Sequence, residues 1–215
     1  MKRQRVLLAT GNAGKVAELS TLLGGRGLEV LGLAAFPETG EIEEKGFTFE
    51  DNALAKARHA AGKTGLASLA DDSGLAVDAL DGAPGVHSAR YADDLPPLPG
   101  ESRDARNIRK LLQAVAAVPE NRRSCRFVCC MAAVLPDGDE MLVRGEWQGK
   151  LLPTPRGANG FGYDPVFFDP ALGKTAAELS REEKNAVSHR GKALRALLEN
   201  FEGFLRKKIQ LGAIP

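Results

Sequence analysis

The chain runs Arg5-Val6-Leu7-Leu8-Ala9 and then Thr10-Gly11-Asn12-Ala13-Gly14-Lys15. Val16, Leu19, Leu22 and Leu23 follow at helical spacing, and Gly24-Gly25 closes the segment. The first run is apolar and strand-sized. The second is a glycine turn, and the third is one face of a helix. A strand, a glycine loop and a helix in that order are the opening unit of an α/β protein.

Working outward, the pattern predicts a second strand over Gly27–Leu33 and an acidic loop over Pro37–Gly46, with Glu41, Glu43 and Glu44. Thr48 is placed to cap an alanine-rich helix over 49–63. Leu66–Ala70 reads as a strand with Asp71-Asp72-Ser73-Gly74 as its polar end, and Leu75–Leu80 as another strand. Asp93–Gly100 (DDLPPLPG) is a proline-rich surface loop. Ile108, Leu111, Leu112 and Val115 mark an amphipathic helix. Arg126–Leu135 and Met141–Trp147, split by Pro136-Asp137-Gly138-Asp139, read as an antiparallel hairpin. Ser180 and Glu183 form a capping-box pattern before a last helix carrying Leu194, Leu197, Leu198, Phe201 and Leu205. The sum is a mixed β-sheet flanked by helices, with residues 1–215 as a single domain.

Composition agrees. The 215 residues include 29 Lys+Arg and 28 Asp+Glu, a net charge of +1, with 43% hydrophobic residues. That argues against disorder and weakens a duplex nucleic-acid role, which calls for a basic excess. Lys2, Arg3, Arg5, Arg206, Lys207 and Lys208 form only short basic termini. Cys125, Cys129 and Cys130 are odd in number and share one apolar stretch without a CxxC, as buried reduced thiols do. The longest apolar run, Phe127–Leu135, is about half of what a spanning helix needs. The apolar part of the N-terminus is too short for a signal peptide. The expectation is a cytoplasmic protein without a membrane partner.

Several stretches could carry chemistry. Thr10–Lys15 offers backbone N–H groups, a helix N-terminus and one ammonium to an anion. It departs from a Walker A loop, because Ala9 and Val16 stand where that motif needs Gly and Ser/Thr. Taken alone, it reads more readily as a strand–helix turn with an exposed lysine. Asp71 and Asp72 are adjacent carboxylates that call for a positive partner, such as a divalent cation. Adjacent strand residues face opposite ways, so one of the pair would face a metal. One glutamate of 41–44 could complete that site, or all could be solvated. Lys56 lies one helical turn from Asn52. In Gly160-Phe161-Gly162-Tyr163-Asp164, Phe161 could stack on a flat ring and Asp164 accept from a base N–H. Lys184 and Ser188-His189-Arg190 could offer donors to a carbonyl or phosphate. His59, His87 and His189 are too scattered for zinc.

LLATGNAGKVAEL (7–19), FEDNALAKARHAA (49–61), LADDSGLAVDALDGAPGVHSARYA (69–92), GANGFGYDPVFF (157–168) and GKTAAELSREEKNAVSHRGKAL (173–194) occur in that order. In these residues the chain resembles the inosine triphosphate pyrophosphatase family in its bacterial form. The resemblance implies an elongated ITPase-like α/β fold, with a long mixed sheet and two lobes around an active-site cleft. It implies Mg²⁺, a homodimer, and hydrolysis of ITP, dITP and XTP between the α- and β-phosphates, clearing them from the nucleotide pool. Thr10, Gly11, Asn12, Ala13, Gly14 and Lys15 match the family's phosphate loop, and Lys56 a lysine near the phosphates. Glu44 matches its metal-binding glutamate. Asp72 matches its proton acceptor and metal ligand, with Ser73 beside it. Phe161, Gly162, Tyr163, Asp164, Lys184, His189 and Arg190 match its substrate contacts. The DDLPPLPG loop is longer than the family's usual pattern.

Overall fold

The structure is a computed structural model that describes residues 4–10, 16, 20, 23, 28–40, 42 and 45–209. Seven strands form one mixed sheet: β1 (Gln4–Leu8), β2 (Leu28–Gly32), β3 (Ala67–Val77), β4 (Ser124–Val134), β5 (Glu140–Leu151), β6 (Phe167–Asp169) and β7 (Lys174–Thr175). Their order is β2-β1-β3-β4-β5-β6-β7. β1 pairs in parallel with β2 and β3, whereas β6 pairs antiparallel with β5 and β7. Among the described residues the helices that accompany the sheet include α1 (Phe49–Thr64), α2 (Arg103–Ala114), α3 (Arg181–Val187) and α4 (His189–Ile209). Val16, Ser20 and Leu23 are also helical, as the opening motif requires.

Contacts cluster into two compact units. The first comprises Met1–Asp72, Cys130–Val143 and Ala196–Pro215, and the second Ser73–Cys129 and Arg144–Arg195. In the first unit, Val6, Leu7 and Leu8 of β1 are buried. That explains the unbroken apolar run, since a parallel strand is covered on both faces. α1 starts where Thr48 accepts the Asp51 N–H, and it ends at Gly65, whose φ is +64°. Ala53, Ala57, Ala60 and Ala61 recur along its buried stripe. The β4–β5 turn closes with Leu135 accepting the Gly138 N–H, as a hairpin there requires.

The second unit has its own core, which includes Leu75, Val77, Leu111, Val115, Phe127, Trp147, Val166 and Phe167. Burying each large apolar side chain contributes about 1.5–3 kcal/mol. Ser102 caps α2 by accepting the Ala105 N–H. Ser180 and Glu183 form the expected capping box at α3. Cys125, Cys129 and Cys130 are buried thiols outside any disulfide, and burial pushes the Cys125 thiol well above its usual range.

One expectation is corrected. Asp71-Asp72-Ser73-Gly74 is not the end of a strand. It is the middle of β3, which runs unbroken through eleven residues, and both carboxylates are buried. The separate strand expected over Leu75–Leu80 is the second half of β3, followed by a 3₁₀ turn at Asp78–Leu80.

Candidate active site

Within the first unit, β3 and α1 bring three predicted features together. The Lys56 ammonium donates to Asp72 Oδ1 at 3.0 Å and to the Asp71 carbonyl at 3.2 Å. One helical turn earlier, Asn52 Nδ2 donates to Asp72 Oδ2 at 3.1 Å. Asn52 is wholly buried, and its Oδ1 accepts the Gly46 N–H at 2.8 Å. A Cβ on Gly46 would stand 2.7 Å from that same oxygen, so the close approach requires glycine. Each oxygen of Asp72 thus has a nitrogen donor, which is what lets a carboxylate sit inside a strand. The Lys56 and Asp72 side chains keep 12% and 11% of their exposure, enough for a ligand to reach them. Asn52 was legible as the i, i+4 neighbour of Lys56, but its grip on Asp72 was not.

Thr10 follows β1, and its N–H donates to the Leu8 carbonyl at 2.8 Å. Gly11, Asn12, Ala13, Gly14, Lys15 and Glu44 lie outside the described residues.

The second unit gathers the other predicted group. Phe161 presents its ring at 62% exposure. The Lys184 ammonium lies 4.9 Å from its centroid and the Arg190 guanidinium 5.6 Å. Arg190 also donates to Ser73 Oγ at 3.3 Å. An exposed ring beside two cations suits a flat, electron-rich heterocycle with keto oxygens. Asp164 is 2% exposed, and its Oδ2 accepts from both Lys184 and the Phe161 N–H. That oxygen therefore holds the loop and the lysine. Gly160 has φ +77°, and any Cβ there would strike Asp164 Oδ2. Tyr163 is buried and its hydroxyl donates to the Ser88 carbonyl at 2.9 Å. Burial pushes its phenol well above the usual range. His189 is 7% exposed, with its ring stacked on Phe127 at 4.8 Å between centroids.

Sequence reasoning missed Asp104. Its carboxylate accepts the Gly162 N–H at 2.6 Å across 58 residues of chain. No local signal marks such a pairing. The DDLPPLPG loop is tied to α2 by Arg103 and Arg106 on Asp93, Lys110 on Asp94 and Arg109 on the Pro96 carbonyl, and Arg109 also pairs with Glu101 just past the loop.

A buried lysine–carboxylate pair on a parallel β-unit, and an open aromatic flanked by cations, define a nucleotide-handling α/β protein. The chain belongs to the Ham1 family, whose model matches residues 6–200. The dITP/XTP pyrophosphatase of Nitratidesulfovibrio vulgaris is 59% identical over 206 residues, covering 96% of this chain and 100% of that protein. Among solved structures, a HAM1 protein from Coxiella burnetii matches with a TM-score of 0.85 and 42% identity, over 93% of this chain and 99% of the other. A nucleoside-triphosphatase / dITP/XTP pyrophosphatase from Mycobacterium abscessus matches with a TM-score of 0.77 and 49% identity, over 91% and 99%.

Proposed function

We propose that this chain hydrolyses dITP, ITP and XTP between the α- and β-phosphates, releasing the monophosphate and pyrophosphate and clearing these nucleotides from the pool. The observation that carries the reading is the Lys56–Asp72–Asn52 cluster. The near full-length likeness to proteins named dITP/XTP pyrophosphatases supports the substrate class.

In this reading Asp72 takes the proton of the attacking water. Its two nitrogen partners fix the carboxylate, so position rather than basicity supplies the advantage. Lys56, with Lys15, offsets charge on the phosphates as the bond breaks. The Thr10–Lys15 loop cradles phosphate oxygens through its backbone N–H groups.

The donor set suits Mg²⁺. Asp72 offers two carboxylate oxygens, and each can accept more than one contact. Hard carboxylate oxygens are what this ion takes, usually one or two alongside substrate phosphates. Asp72 and Glu44 would hold it. When bound, it would screen the phosphates and make water more acidic. Substrate phosphates usually supply further contacts to this ion.

Phe161 stacks on the base, while Lys184, Arg190 and His189 favour a 6-keto oxygen over the amino group of adenine. A buried donor facing another donor costs about 1–3 kcal/mol, a discrimination of roughly ten- to a hundredfold. We place the enzyme in the cytoplasm as a homodimer. No described helix is long and apolar enough to cross a membrane.

Asp72→Asn tests the assignment. Turnover of dITP should fall by about 10²–10⁴-fold, while calorimetric titration still detects nucleotide binding. Activity close to that of the unmodified chain would overturn the role of Asp72.

A further inference from the structure

We propose that Asp104 is a positioning residue for the purine-stacking loop, a role that rests on the reading of Phe161 as the base platform. Two peptide planes flank Phe161. The N–H of the first, between Gly160 and Phe161, is held by Asp164 Oδ2 at 2.9 Å. The N–H of the second, between Phe161 and Gly162, is held by Asp104 Oδ2 at 2.6 Å. Peptide units are planar, so fixing both leaves Phe161 little freedom about its own φ and ψ. The direction in which the ring leaves the backbone is then set by two carboxylates, one from the loop itself and one from α2.

Asn159 ties one side of the loop to the Ala177 and Leu179 carbonyls, at 3.0 and 3.1 Å, and Asp104 holds the side that faces α2. α2 and Gly157–Gly162 face each other across a cavity of about 770 Å³, lined by Asp104, Ile108 and Leu112 on one side and Gly160 and Phe161 on the other. A gap stands where packed side chains would otherwise fix the loop. Gly162 has φ +59°, a conformation that glycine adopts freely but that nothing in its own side chain can secure. The bond from Asp104 crosses from helix to loop at this point.

Asp104 is free for the task because Ser102 already caps α2, accepting the Ala105 N–H at 3.1 Å. A first-turn acid also favours the positive end of the helix. Asp104 therefore has two separable effects: its charge stabilises α2, and its acceptor oxygen places the loop.

Asp104→Ala and Asp104→Asn separate them. Asparagine keeps a side-chain acceptor and loses the charge. Steady-state kinetics with dITP should give the alanine variant a KM raised about tenfold with kcat within about twofold, the signature of lost uniform binding. The asparagine variant should recover most of that loss, although both variants lose similar thermal stability. A purely structural role predicts the same lowered melting temperatures with KM unmoved in both variants. An unchanged KM in Asp104→Ala, or an asparagine variant no better than alanine, overturns the proposal while the unmodified chain still hydrolyses dITP. An unmodified chain that leaves dITP intact overturns the proposed function, and this inference with it.

Discussion

Inside a β-strand a lone carboxylate is costly, and Asp72 is kept there by α1. Lys56 and Asn52 each take one of its oxygens, so the features that make Asp72 tolerable also aim it. Lys56→Met should therefore do two things at once. It takes the ammonium away from a buried carboxylate, costing about 1–3 kcal/mol of stability. It also removes a cation from the proposed phosphate site, costing about a hundredfold in turnover. Thermal unfolding and steady-state assays read these separately; a variant with normal turnover would contradict the phosphate role. At this scale the sequence showed the Asn52/Lys56 pair through helical spacing, and Phe161, Lys184 and Arg190 through their chemistry. It did not show that Asp164 Oδ2 is committed to Lys184 and the Phe161 N–H, or that Asp104 reaches Gly162. Such contacts join distant residues, and spacing carries no information about them.

At the scale of elements, β3 is the clearest lesson. Asp71-Asp72-Ser73-Gly74 has the composition of a turn, so local propensity divides the strand in two. Tertiary partners on α1 override it, and the strand runs on. The starts of α1 and α3 were legible because Thr48 and the Ser180/Glu183 box act within a single turn, but the break at Ser188 that separates α3 from α4 was not. β6 and β7 are three and two residues long, too short for any periodicity to mark. The proline-rich loop was legible as a loop but not as a strap. Arg109 holds the Glu101 carboxyl down at about 2 from an ordinary 4.5, with help from the Leu98 N–H. The folded state thus binds this proton less readily than the unfolded chain. The stabilisation is present above about pH 4.5 and is lost as pH falls through 2. An NMR titration of the Glu101 carboxyl carbon should give a midpoint near 2, while one near 4.5 would mean that Arg109 does not hold it.

At the scale of the whole molecule, the balance behind the net charge of +1 recurs locally as paired opposite charges. Lys56 faces Asp72 in one unit, and Lys184 faces Asp164 in the other. The α/β class followed from the opening strand, glycine loop and helix, and the family from five stretches spread along the chain. The sheet order could not be read, because the pairing of β3 with both β1 and β4 joins segments far apart in sequence. The most direct test of the account follows the first product released from dITP, XTP, GTP and ATP, with and without Mg²⁺. The account predicts pyrophosphate and the monophosphate from dITP and XTP, faster than from ATP or GTP, and only with Mg²⁺ present. Inorganic phosphate as the first product, or equal rates on ATP, would contradict it.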